Sequence, residues 1–250
     1  MRDLSTMHDL ARAVKNPLWE ALALGLDARL LADQGRFDRA RQSVADGNAL
    51  MSKVGPPWSD AFNPAFTGLA EAKLHLREGQ TKPVETALSL ASSTILEMKG
   101  LFRTWLEFLH FQVQGELLLA QGRTEEAIRH LTTQVEMPSQ ETSGGIVLIQ
   151  NFTFTRDGLA KAYVQKGDVD AAIKEYERIT TFDPASRERR LIHPLHRYEL
   201  AKLYEKKGMK EKAIAQYEKF LMLWKNADAE HPEPRDARAR LAKLKGPGKK

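Results

Sequence analysis

The chain has no cysteine in its 250 residues, so disulfide frameworks, thiolate zinc sites and cysteine nucleophiles are excluded. No apolar run approaches the roughly 18 residues that a membrane-spanning helix needs, so the reading is a chain without a membrane partner. Glycine (16 residues) and proline (11) are too sparse for a collagen-like or proline-rich protein. The opening Met1–Thr6 lacks the apolar stretch of a secretory signal, which reads as cytoplasmic. What is present, 42% hydrophobic and 28% charged residues, describes a globular protein with a sizeable core rather than a disordered chain.

The net charge of +5 is uneven. From Asp183 to Lys250 there are 18 basic and 10 acidic residues, and the preceding part is slightly acidic. A basic end is able to meet nucleic acid or an acidic protein surface. Lys206, Lys207, Lys210 and Lys212 are interleaved with Glu205 and Glu211, however, and mixed signs at helical spacing read first as a solvated helix face.

Five segments share one form: an apolar helical run, a glycine turn, and a second helical run. The turn glycines are Gly35, Gly79, Gly122, Gly167 and Gly208, spaced 41 to 45 residues apart. Seven residues before each glycine stand Ala28, Ala72, Gly115, Ala160 and Ala201, all small. Four before it stand Leu31, His75, Leu118, Tyr163 and Tyr204. Five after it come Ala40, Val84, Ala127, Ala172 and Ala213, and nine after it Val44, Leu88, Leu131, Tyr176 and Tyr217. Small residues on both helices let the axes approach, and larger ones fill the grooves around that contact. One hairpin cannot bury its apolar face alone, so the pattern predicts stacked hairpins.

Ala160-Lys-Ala-Tyr-Val-Gln-Lys-Gly-Asp-Val-Asp-Ala-Ala-Ile-Lys-Glu-Tyr176, followed by Pro184, resembles the signature of the tetratricopeptide repeat, and Ala201 to Tyr217 resembles it more closely. The first three copies are degenerate, with His75 and Val84 as departures. The period exceeds the family's usual 34 residues and fits a HEAT or armadillo solenoid better, but that class does not call for the recurring small–Gly–Ala triplet. The resemblance runs from about Pro17 to Trp224. It implies an all-α fold: a right-handed superhelical solenoid of about five helical hairpins with a short C-terminal capping helix.

The expected layout is a lone flanking helix within residues 1–16 (Asp3 to Lys15), the solenoid over 17–224, a linker and capping helix over 225–245, and a disordered tail over 246–250. Asn16-Pro17 reads as an N-cap and first-turn proline. The linker spans Lys225 to Arg235, and the cap spans Asp236 to Leu244. Ile146 to Phe154 has strand propensity and is the weakest helix assignment. Leu191 to Leu244 resembles the closing part of repeat regions attached to bacterial protein kinases, cyclases and transcriptional activators, which implies a regulatory role in signalling.

Catalytic patterns are fragmentary. Arg156-Asp157-Gly158 is similar to part of a kinase catalytic loop but lacks the preceding histidine and the downstream asparagine. Thr142-Ser-Gly-Gly145 lacks the Gly-Lys-Ser/Thr of a phosphate cradle. His193 and His196 flank Pro194 without a third ligand for a catalytic metal. Trp19, Trp105 and Trp224 read as packing residues, and Trp58, after Pro56-Pro57, as the exposed one. The reading is a non-enzyme with no metal and no cofactor.

The candidate binding surface follows from two offsets. Six residues before each turn glycine stand Arg29, Lys73, Glu116, Lys161 and Lys202, four of them basic. Thirteen before it stand Leu22, Phe66, Leu109, Phe154 and Leu195. Offsets seven apart share a helix face, and the family resemblance implies that this face looks into the concave groove. The candidate groove residues are Arg29, Lys73, Lys161, Lys202, Phe66, Leu109, Phe154, Leu195 and Tyr198. The partner they fit is a protein or peptide segment with acidic and apolar residues. The alternatives are a nucleic-acid-associated regulator using the basic C-terminal third, and a self-associating module.

Overall fold

The computed structural model describes residues 9–10, 12–33, 36–56, 67–136, 154–181, 193–225 and 232–246. Eleven helices account for more than half the chain, and no strand occurs among the described residues: α1 (Pro17–Asp33), α2 (Phe37–Val54), α3 (Gly68–Arg77), α4 (Lys82–Glu97), α5 (Leu101–Ala120), α6 (Thr124–Glu136), α7 (Phe154–Lys166), α8 (Val169–Thr180), α9 (Pro194–Lys206), α10 (Lys210–Leu223) and α11 (Pro232–Lys245). They fall into two compact units, Met1–Arg123 and Thr124–Lys250.

One turn chemistry recurs at every hairpin. The amide of the residue after each turn glycine donates to the carbonyl four before that glycine: Arg36 to Leu31 (2.9 Å), Gln80 to His75 (2.8 Å), Arg123 to Leu118 (2.9 Å), Asp168 to Tyr163 (2.9 Å) and Met209 to Tyr204 (2.9 Å). This closure satisfies carbonyls left over at a helix end and requires a left-handed residue between the partners. Gly79, Gly122, Gly167 and Gly208 supply it with φ of 77°, 72°, 88° and 70°. The next helix then starts at once. The Asp168 side chain accepts from the Ala171 amide at 3.0 Å and caps α8.

In the first unit, α1 packs on α2 and α3, α3 on α4 and α5, and α4 on α5. Ala28, Ala40, Ala72 and Val84 are fully or almost fully buried. Leu31, Ala32, Ala40 and Leu74 form one apolar cluster with Phe37, and Ala28, Val44 and Ala70 another. Asn16 caps α1, its Oδ1 accepting from Leu18 at 3.1 Å and Trp19 at 3.3 Å. Trp19 is not a packing residue. It is 53% exposed, at the outer side of the first turn. Of the expected flanking helix, residues 9–10 and 12–13 are helical, with Leu10 and Val14 exposed. Trp58, the Trp105 side chain and the stretches 137–153 and 182–192 lie outside the described residues.

In the second unit each first helix packs on the second helix of the preceding hairpin and on its own: α7 on α6 and α8, α9 on α8 and α10, α11 on α10. The core runs through Ala160, Ala172, Tyr176, Ile179, Ala201, Tyr204, Ala213, Tyr217, Phe220 and Ala237. Burying one side chain the size of Phe220 stabilises the unit by about 2–3 kcal/mol. Each hairpin also carries a polar cross-link: Arg156 Nη1 donates to Glu175 Oε2 (2.8 Å) and Arg197 Nη1 to Gln216 Oε1 (3.0 Å). The last helix is longer than expected. It begins at Pro232, so Pro232 and Pro234 are not linker residues but occupy its first turn, where a missing amide hydrogen costs nothing.

Candidate functional site

The first helices of the second unit share a register that creates a continuous polar face. Positions ten, six and three before the turn glycine are Asp157, Lys161 and Val164 in α7, and Tyr198, Lys202 and Glu205 in α9. Gly246 ends α11 with φ of 72° and donates to the Lys243 carbonyl (3.3 Å), as Gly208 does to Glu205 (3.0 Å). Counted from Gly246, the same positions in α11 are Asp236, Arg240 and Lys243. Residues spaced by four and three lie on one helix face.

On α7, Lys161 Nζ sits 2.5 Å from Asp157 Oδ2, and the Tyr176 hydroxyl donates to Asp157 Oδ1 at 3.0 Å. His196 Nε2 lies 3.9 Å from the same oxygen. Burial pushes the Asp157 carboxyl up. The Lys161 ammonium, the field of His196 and the two hydrogen bonds outweigh it and hold the group at about 2. Burial, and then the Asp157 charge, push the Tyr176 hydroxyl well above its ordinary value, so it remains a donor. The tip of Lys161 is more open than the carboxylate beneath it, 43% against 16% by side chain, so the cation faces outward.

On α9, Lys202 Nζ is 3.0 Å from Glu199 Oε2 and 5.0 Å from the centre of the Tyr198 ring. The Tyr198 hydroxyl donates to Asp236 Oδ2 at 2.7 Å, and Arg240 Nε donates to the same oxygen at 2.6 Å. Arg240 Nη1 and the Tyr217 hydroxyl both donate to Glu205 Oε2, at 3.0 and 2.9 Å. These bonds tie α11 to α9 and α10. Burial and the bonds to Asp236 and Glu205 raise the Tyr198 and Tyr217 hydroxyls. The hydrogen bonds to Asp236 and Glu205 raise the Arg240 guanidinium.

The candidate residues divide between the units. In the first, Arg29 is buried and donates to Gln112 on α5, and Lys73, 1% exposed, pairs with Glu116 across α3 and α5 at 2.5 Å. Leu109 is buried in α5. In the second, Lys161 is exposed, Lys202 half-buried, Leu195 packed against the core cluster and Tyr198 8% exposed. Phe66 lies outside the described residues. Phe154 opens α7, with its side chain outside them. Asp157, Val164, Glu199, Glu205, Asp236 and Arg240 joined the face only through the structure. Gly246, 38 residues after Gly208, was the signal that would have placed the last two.

Arg156 and Asp157, part of the kinase-like fragment, are both engaged in holding α7 to α8. His193 Nδ1 accepts from the Leu195 amide at 3.3 Å, so this histidine caps α9. Its ring meets Trp224 edge-on at 5.9 Å, consistent with Trp224 as a packing residue.

The tetratricopeptide repeat family model matches residues 157–186 and 197–223. No curated protein matches the chain. The matched segments begin within α7 and α9 and cover the hairpins whose alanine contacts and glycine turns are described above. Residues 157–186 and 197–223 thus carry tetratricopeptide repeats, a repeat that generally mediates protein–protein interaction.

Proposed function

We propose that the face shared by α7 and α9 captures a segment of a protein partner, and that the chain works as a non-catalytic interaction scaffold. The observation that carries this reading is the outward display of Lys161 and Lys202 beside the exposed Val164 (42%), on helices locked in place by buried alanines and tyrosines. Cations above partly buried carboxylates, next to an apolar side chain, suit a segment with acidic residues and apolar anchors. Discrete acidic side chains can exchange with the Lys161–Asp157 and Lys202–Glu199 pairs, because half-exposed pairs of this spacing are worth only about 0.3–0.5 kcal/mol. A phosphate backbone, with its closely spaced charges, meets Asp157 and Glu199 as repulsion, which favours a peptide over nucleic acid.

Arg29, Lys73 and Leu109 take a supporting part in this reading by fixing α1, α3 and α5 against one another. The resemblance of Leu191 to Leu244 to bacterial repeat regions supports placing the scaffold in a cytoplasmic signalling assembly. The test is a Lys161→Glu, Lys202→Glu double variant, assayed against the partner recovered with the wild type. Affinity should fall about tenfold or more, with a shallower salt dependence. Unchanged affinity in a folded variant would place the partner on another surface.

A further inference from the structure

α11 has the register of a first helix, and among the described residues no second helix covers its open side. In α7 and α9 the residue eleven before the turn glycine is an arginine, and it donates to the residue eight after that glycine: Arg156 to Glu175 and Arg197 to Gln216. The same position before Gly246 is Arg235, exposed, with no acceptor among the described residues. Seven before the glycine, Ala160 and Ala201 are 0% exposed because α8 and α10 cover them, whereas Ala239 of α11 is exposed. Ala242, at the place of Tyr163 and Tyr204, is exposed as well.

The charges that α11 itself brings to this side have one sign. Arg235 lies on the alanine seam, Lys243 borders it on one side and Arg238 on the other, next to Lys245, which pairs with Glu218 of α10 at 2.8 Å. The carboxylates of α11 point elsewhere: Asp236 is held by Tyr198 and Arg240, and Glu233 is half-buried. On α7 to α10, Lys161, Lys166, Lys202, Lys207 and Lys212 each have a carboxylate within salt-bridge distance, whereas the exposed Lys174, Lys206, Lys210 and Lys219 have none among the described residues. Among the described residues, Arg235, Arg238 and Lys243 have none. An end helix that served solubility alone needs neither a single charge sign nor a seam at the register of hairpin packing.

We propose that this face docks an acidic α-helix of a partner polypeptide in the position of a second helix. The docked helix presents a small residue against Ala239 and, three positions later, a Glu or Gln that accepts from Arg235. The spacing is that of Ala172 and Glu175 in α8 and of Ala213 and Gln216 in α10. Acidic residues on its flanks meet Arg238 and Lys243. This surface is separate from the α7–α9 face, and the inference does not rest on that reading.

The probe is a labelled peptide copying residues 168–181, closed by a lactam between Asp170 and Lys174 to hold the helix, titrated into the full chain by fluorescence anisotropy. One helix face is a small interface, so saturable binding near about 100 µM is expected. Arg235→Glu and, separately, Ala239→Glu should weaken it about tenfold, and Lys174→Glu should leave it unchanged. A probe carrying arginine at the Glu175 position should recover affinity for the Arg235→Glu chain. No saturable binding at about 1 mM, or loss without recovery by the swapped pair, overturns the proposal. So does equal affinity for polyglutamate or for a thymidine oligonucleotide of the same charge, which would make the face a general anion binder.

Discussion

Replacing Ala201 by leucine tests the register of the second unit at its tightest contact. Ala201 is 0% exposed and packs in one cluster with Ala213, Tyr204 and Tyr217, all 4% exposed or less. Leucine adds three carbons where the α9 and α10 axes approach, so the helices must separate or the tyrosines leave their rotamers. Overpacking of this kind costs about 1–3 kcal/mol. The comparison is Ala239→Leu, at the same register of α11 but exposed, where the change should stay within about 0.5 kcal/mol. Urea denaturation followed by circular dichroism reads both variants, with the slope unchanged and only the midpoint of Ala201→Leu lowered. In a chain of this size the melting temperature should fall by roughly 2–4 °C per kcal/mol. Equal stability of the Ala201→Leu variant, or equal loss in both, would refute the shared register.

Gly208→Ala should cost about 1 kcal/mol, because φ is +70° while no atom stands within 4 Å of the added methyl; a stability change near zero in the same denaturation would contradict a strained turn. Lys73→Met removes the cation beside Glu116 in a buried pair and should cost about 3 kcal/mol or more, read as a lowered midpoint. Asp157 titrates below its unfolded value, so its contribution is complete above the ordinary carboxylate range and is lost as pH falls from about 4 to about 2. Wild-type stability should therefore fall by about 2 kcal/mol more over that window than that of Asp157→Asn, measured by denaturation at stepped pH.

The hairpin frame was legible because its requirements are local. A left-handed turn asks for glycine, and close helix packing asks for alanine at a fixed distance from it, so Gly167 with Ala160 and Ala172 announces a hairpin in sequence. The start of α11 was not legible, because prolines 232 and 234 are equally at home in a linker and in a first turn. Trp19 shows a second limit: its neighbours are apolar, but its position in the first turn of α1 points it outward. The offset before each glycine indicates the helix face that a residue occupies. Whether that face is open depends on the neighbouring helix, as with Lys73, which Glu116 of α5 meets from a residue 43 positions away. The pairing of Arg156 with Glu175 and of Arg197 with Gln216 became visible only when coordinates joined positions that sequence leaves 19 apart.

The central claim, that a partner segment lies on the face of α7 and α9, is tested most directly by site-specific photocrosslinking in cells of the source organism. A photoreactive residue replaces Val164, exposed on that face, or Lys174, exposed on the second helix α8. Discrete adducts from position 164, and none from position 174, are expected. Adducts from position 174 with none from position 164 would contradict the assignment of the binding face.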